Sequence, residues 1–220
     1  MQSPLGALMR FFATSDAHLA RATALVDIVG DRSDLSPAEI AGQALGIAAA
    51  QAGGDLDILN FALTLEHFEN ALYRALIASK LLTGKALDYA KTYGGHENTH
   101  VVALTDTITK LGGTPVKELD KYNLPTLKTE AEVIALLATV EDVGASAYLG
   151  AAPLVKSGEL LTVAVQIHTV EAEHATSWRF LAGQDPVPFA FAPARTGAEV
   201  LTIVTPFLQS PRAYLPIVNR

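Results

Sequence analysis

The sequence contains no cysteine, one tryptophan, two methionines and only 7% aromatic residues. Without cysteine there is no disulfide framework, no thiolate zinc or iron–sulfur site and no cysteine nucleophile, and the redox compartment stays undetermined. Any metal must be held by His, Asp and Glu. Positive charge is scarce as well: 16 Lys+Arg stand against 23 Asp+Glu for a net charge of −7, with no basic cluster. The phosphate-neutralising surface of a nucleic-acid binder is therefore absent. No uninterrupted apolar run approaches the roughly 18 residues of a membrane span. The first twenty residues also lack a charged stretch followed by an apolar one, the mark of an export signal. The expectation is a cytoplasmic protein with no nucleic-acid and no membrane partner. What the chain does have is apolar residues, 50% of 220 positions, enough for one generous domain or two small ones whose folding needs neither disulfide nor metal.

Those apolar residues recur at spacings of three and four, and Gly and Pro gather at a few punctuation points, which predicts an all-α protein. Ser3-Pro4 and the capping box Ser36-Pro37-Ala38-Glu39 open two N-terminal helices that end near Gly30 and Gly53-Gly54. Four longer helices follow. The first starts at Asp55 with Leu59, Leu63, Glu66, Asn70, Tyr73 and Ile77 on one heptad-like stripe. The second, over 85–111, carries Ala90, Tyr93, Glu97, His100, Leu104 and Leu111, and Gly112-Gly113 stops it. The stretch 114–128 is long for a helix connection, where 2–8 residues is usual, and is expected to cross the length of a bundle. A capping box at Thr129-Glu132 opens the third helix, with Ile134, Leu137, Glu141, Ala145 and Tyr148 on its stripe. The fourth follows Ser157-Gly158 with Leu160, Ala164, Ile167, Glu171, His174, Trp178 and Leu181, up to Gly183. Each stripe turns polar at its middle. The remainder holds one short helix expected near 197–205, behind the capping box Thr196-Glu199, and an apolar tail that should pack on the bundle or on a second subunit.

Glu66-x6-Tyr73 followed by Glu97-x-x-His100 is repeated as Glu141-x6-Tyr148 followed by Glu171-x-x-His174, about 75 residues on. Chance placement of twelve Glu and six His gives about 0.3 Glu-x-x-His matches, and the chain has two in register. On a helix, residues three apart share a face. Each motif thus pairs a carboxylate able to bridge two metals with an imidazole able to bind one. Glu66 and Glu141 from the other two helices complete a set of four carboxylates and two imidazoles, the donor set of dinuclear carboxylate centres in helical bundles. Such N/O donors suit two Fe or two Mn ions. Four unpaired buried carboxylates would be prohibitive, and two divalent cations cancel them. Candidate metal and catalytic residues are therefore Glu66, Glu97, His100, Glu141, Glu171 and His174.

Tyr73 and Tyr148 lie about 10.5 Å along the helix from their own Glu, so each is either core packing or a hydrogen-bond partner of a ligand on a facing helix. His168, three residues before Glu171, is a surface histidine or an outer partner of the centre. His67 and His96 point about 100° away from the neighbouring ligands and are placed outside it. Glu69, Glu130, Glu132, Glu159 and Glu173 are read as solvated surface residues. His96-Glu97-Asn98-Thr99-His100 also matches the H-E-x-x-H pattern of zinc peptidases. No downstream third-ligand motif accompanies it, and the second half repeats Glu-x-x-His without a preceding His, which argues against that chemistry.

At these residues the chain resembles the ferritin-like superfamily, and within it the ferritin-like domain family that includes desiccation-related proteins. The stretches that carry the likeness are Asp57-Ile58-Leu59-Asn60-Phe61-Ala62-Leu63-Thr64-Leu65-Glu66, His96-Glu97-Asn98-Thr99-His100-Val101, Val170-Glu171-Ala172-Glu173-His174 and Phe180-Leu181-Ala182-Gly183. The resemblance implies a ferritin-like four-helix bundle over residues 55–183, with the long crossover between its second and third helices. It is flanked by an N-terminal helical extension, 1–54, and by a C-terminal helix and packing tail, 184–220. It implies a dinuclear Fe or Mn centre acting on O2 or peroxide in protection against oxidative stress or desiccation. Manganese-catalase-like peroxide disproportionation is one form of that activity. A structural or desiccation-protective bundle with a non-catalytic metal site is the alternative. A rubrerythrin-like electron relay is excluded, because the chain has no CxxC module. The oligomeric state stays open, with a homodimer through the tail or the Ala-rich second helix as the expectation.

Overall fold

The computed structural model describes residues 54–208; the two N-terminal helices expected before residue 54 and the tail after residue 208 lie outside the described residues. Four long helices, α1 (Asp55–Ala78), α2 (Gly84–Lys110), α3 (Glu130–Ala151) and α4 (Gly158–Leu181), are followed by the short α5 (Gly197–Val204). Single 3-10 turns follow α3 at Ala152–Leu154 and α5 at Thr205–Phe207. The helix starts are chemical ones. Thr129 and Thr196 each accept a hydrogen bond from the N–H of Glu132 and Glu199, whose carboxylates return the bond, and Ser157 caps α4 through the N–H of Leu160. Gly183, with φ of +68°, closes α4 in the left-handed conformation that only glycine adopts without strain.

α1 packs chiefly on α2 and α3 chiefly on α4. The long connection determines how the two pairs meet. It leaves α2 beside the start of α1, where Gly113 lies against Leu56. Asn60 Oδ1 then accepts from the N–H of Val116, Arg74 pairs with Glu118, and Glu130 accepts from the N–H of Thr83 just past the end of α1. The connection thus climbs the length of α1, as its length predicts, and delivers α3 antiparallel to α1. The sequence and this topology agree on an all-helical, ferritin-like bundle. An isolated antiparallel bridge, Tyr122 with Leu208, and the bond from Asn123 N–H to the Phe207 carbonyl clip the crossover to the segment after α5.

The core is apolar at both ends and polar between them. Phe68, Leu72, Leu136, Leu137, Trp178 and Phe207 fill one end, and Leu59, Leu63, Leu104, Ile108 and Ile167 fill the other. A third cluster, with Leu65, Val143, Ala147, Val200 and Val204, lies under α5. Trp178 is fully buried, and truncating such a side chain to Ala typically costs about 3–5 kcal/mol. These clusters fix the helices on either side of the polar layer, so its side chains are held by packing on both flanks. By length and hydropathy the segment Glu130–Leu154 could cross a bilayer, but 67% of its most apolar window is buried inside the bundle. Its apolarity is that of a core helix, and it carries the buried Glu141.

Candidate metal centre

The polar middle of the four stripes meets at one place. Glu66 on α1, Glu97 on α2, Glu141 on α3 and Glu171 on α4 are completely buried, with His100 and His174 almost so. His100 Nδ1 stands 3.2 Å from each of Glu66, Glu97 and Glu171, while His174 Nδ1 stands 3.1 Å from Glu97 and 3.2 Å from Glu141. Two donor groups result, Glu66–Glu97–His100–Glu171 and Glu97–Glu141–Glu171–His174, each with its ligating atoms within 4.8 Å of one another. Glu97 and Glu171 belong to both. All six predicted ligands are thus brought together, and either group could hold a metal ion.

Whether two cations fit can be judged from what lacks a partner. Glu97 Oε1 and both oxygens of Glu171 are buried with no hydrogen bond; the ring nitrogens of His174 and His100 are close enough to two of these oxygens but not aligned to donate to them. An orphaned buried carboxylate oxygen is expensive, and these three lie on the two residues shared by both donor groups. The donor chemistry and the vacant lone pairs fit a pair of divalent cations.

Electrostatics in the uncomplexed cluster point the same way. Burial pushes the Glu97 carboxyl up to about 7 against the pull of His100 and His174. Burial, then the neighbouring Glu97, holds Glu171 well above the usual carboxylate range. Burial works against charge on the two imidazoles, yet the surrounding carboxylates Glu171, Glu66 and Glu97 bring His100 up to about 12, and Glu141 brings His174 up to about 9.

The two tyrosines cross between halves. Tyr73 on α1 donates to Glu141 on α3, Tyr148 on α3 donates to Glu66 on α1 at 2.5 Å, and Trp178 donates to the Tyr73 oxygen at 2.7 Å. Neither tyrosine touches the Glu of its own motif; antiparallel α1 and α3 put each beside the other's carboxylate. His168 does not join the cluster: it is half-buried and its Nδ1 lies 2.9 Å from the Ala145 carbonyl. His67 is held by the Val116 carbonyl.

One residue calls for correction and another for an addition. Glu69, expected on the solvated surface, is 3% exposed and lies between α1 and α3 beside the centre. The 66–70–73 stripe passes through Asn70, which left Glu69 on the neighbouring face; that face is covered by α3, not by water. His96, expected to point away, does leave the carboxylates, but its Nδ1 is 2.9 Å from Nε2 of His174, on the ring's outer edge. Tyr93, on the same side of α2, stacks on His174 with ring centroids 4.1 Å apart. The sequence signal for Glu69 was its spacing three residues after Glu66; for His96 there was none short of the docking of α4.

A sequence model of the ferritin-like domain matches residues 54–184, more than half of the chain. The chain belongs to the ferritin-like domain family. The match ends just past α4, so the family's domain coincides with the four helices that carry the cluster. Among solved structures, this ferritin-like chain is similar to a conserved hypothetical protein from Mycobacterium tuberculosis, at 21% identity over 66% of this chain and 97% of that one, with a TM-score of 0.54. At that identity the likeness is one of fold. No curated protein matches.

Proposed function

We propose that the chain is a dinuclear metal protein in which Glu66, Glu97, His100, Glu141, Glu171 and His174 hold two Fe or Mn ions, and that it consumes peroxide or O2. The observation that carries the reading is the pair of overlapping donor groups whose shared residues, Glu97 and Glu171, hold orphaned oxygens. Glu97 and Glu171, common to both donor groups, would serve both ions, with Glu66 and His100 completing one group and Glu141 and His174 the other. Such a pair supplies two one-electron changes within one site. The chain's own contribution is to fix and dry the donors. Tyr73 and Tyr148 each keep a proton on their oxygen and aim it at Glu141 and Glu66, orienting those carboxylates. Burial pushes both phenols well above their ordinary range, so they remain donors. His96 Nδ1, 2.9 Å from His174 Nε2, is placed to accept a hydrogen there, which would leave the His174 Nδ1 lone pair free to hold a metal.

The protein purified without added metal should contain Fe or Mn, and loading with either should produce peroxide consumption. Substoichiometric metal together with no gain on loading would overturn the reading. The complete burial of the four ligand carboxylates favours a second reading, in which the metals brace the bundle, as in a desiccation-protective protein. In that case the loaded protein gains thermal stability and consumes no peroxide.

A further inference from the structure

The internal repeat sets Glu69 and Gly144 at the same place in the two halves, three residues after Glu66 and Glu141 respectively. Antiparallel α1 and α3 bring these two positions face to face. A Cβ on Gly144 would come within 2.8 Å of Glu69 Oε1 and 2.9 Å of Glu171 Oε2, so the glycine is what leaves room for both oxygens. Glu69 Oε2 is buried with no hydrogen bond, as are both oxygens of Glu171. Burial first, and after it the four carboxylates Glu171, Glu66, Glu97 and Glu141, hold the Glu69 carboxyl well above its usual range. From outside, a small apolar cavity under α5 reaches Glu69 and Gly144, and its wall offers no other polar side chain. A fifth buried carboxylate is thus kept next to the centre, with no ion-pair partner among the described residues and with a glycine opposite that leaves space for it.

We propose that Glu69 is a further metal-binding residue, a fifth carboxylate that serves the cation pair from the α1–α3 side through the slot left by Gly144. This rests on the metal-centre reading above. Glu69 lies outside the two donor groups in the arrangement described, beside Glu171, which belongs to both. Its charge also matters: five carboxylates exceed what two divalent ions cancel, so the centre is more anionic than the six predicted ligands alone would make it.

The test uses the full chain, Mn2+ as the probe, and two readouts expected to move in opposite directions. Glu69→Gln keeps the shape and removes the charge. Mn2+ affinity by calorimetric titration, with bound metal counted after desalting, should fall by about tenfold or more, and Glu69→Asp should restore part of it. The melting temperature of the metal-free variant should rise, because an uncompensated buried acid has been removed. A purely structural Glu69 would instead lower the melting temperature and leave Mn2+ affinity unchanged; either of those results overturns the proposal. If the wild-type chain holds no Mn2+, the metal-centre reading falls and this proposal with it. If the wild type holds Mn2+ and Glu69→Gln holds it equally well, only the role of Glu69 falls.

Discussion

The halves α1–α2 and α3–α4 present the same ligands in different surroundings. Glu66, Tyr73, Glu97 and His100 correspond to Glu141, Tyr148, Glu171 and His174. Around them the halves part. Glu69 corresponds to Gly144, Tyr93 to Ile167 and His96 to Val170. The first half therefore supplies an extra carboxylate on the α1–α3 side, and an imidazole and a phenol ring packed on His174, while the second half supplies small or apolar residues at those places. What is kept through the repeat is the set of four carboxylates and two imidazoles; what differs makes the two ends of that cluster unlike. The His174 end has its outer ring edge engaged by His96, whereas the residue that corresponds to His96 in the second half is Val170, whose side chain has no hydrogen-bonding group.

The largest effect should come from breaking what the halves share. Glu97→Gln or Glu171→Gln removes a carboxylate common to both donor groups, so each is expected to abolish retention of the metal pair while helical content measured by circular dichroism is kept. Metal content unchanged in both variants would show that these are not the ligands. Next in size is the attempt to make the halves alike. Gly144→Ala puts a Cβ against Glu69 and Glu171, and overpacking of this kind costs about 1–3 kcal/mol. Adding Glu69→Ala should return a large part of that loss. Additive effects of the two changes in denaturant unfolding would mean that the residues do not oppose each other.

The bundle was legible in the sequence because its signals are local: the capping boxes at Thr129 and Thr196, the Ser157 cap and the glycine stop at Gly183 all act where they stand. That the six candidate ligands meet in one cluster was legible because helical spacing and the repeat place them on seams. The rest depends on which helix covers which face. Glu69 and Asn70 are adjacent, and both are buried; only the packing of α3 on α1 decides that the carboxylate beside the seam faces the centre. His96 is exposed, and its tie to His174 exists because α4 docks against α2. The tyrosines show the same limit: spacing gives their distance from their own glutamates, and the antiparallel pairing gives each the other's.

Acidity offers a test on both halves together. Glu97 is raised to about 7, and His174 and His100 to about 9 and 12. Groups raised on folding stabilise the metal-free protein fully below their unfolded pKa and lose that contribution as pH rises through the folded value. Metal-free stability should therefore decline from about pH 4.5 through 7 on account of Glu97, and from about 6.5 through 9 on account of His174. Metal must displace the same protons, so its affinity should climb over that window. The gap in melting temperature between loaded and metal-free protein is expected to widen from pH 6 to pH 8; a constant gap would show that these protons and the metals do not compete.

A smaller effect separates the ends of the centre. His96→Phe removes the acceptor for His174 Nε2 and should weaken the ion at the Glu141/His174 end by about tenfold. His96→Asn offers an acceptor again and should recover part of it. Calorimetric titration with Mn2+ ought then to show two unequal steps in the His96→Phe variant, with the tighter one unchanged.

The smallest difference lies between the tyrosines. Tyr148→Phe removes one hydrogen bond, to Glu66, whereas Tyr73→Phe removes the bond to Glu141 and also the acceptor that Trp178 uses. A buried donor left without its acceptor costs about 1–3 kcal/mol, so Tyr73→Phe should destabilise the protein more than Tyr148→Phe by about that amount. Replacing Trp178 as well, Trp178→Phe on the Tyr73→Phe background, removes the stranded indole N–H and isolates the part of the difference that comes from it. If Tyr73→Phe and Tyr148→Phe unfold at the same denaturant concentration, the Trp178 bond contributes nothing and the two halves are equivalent at this position.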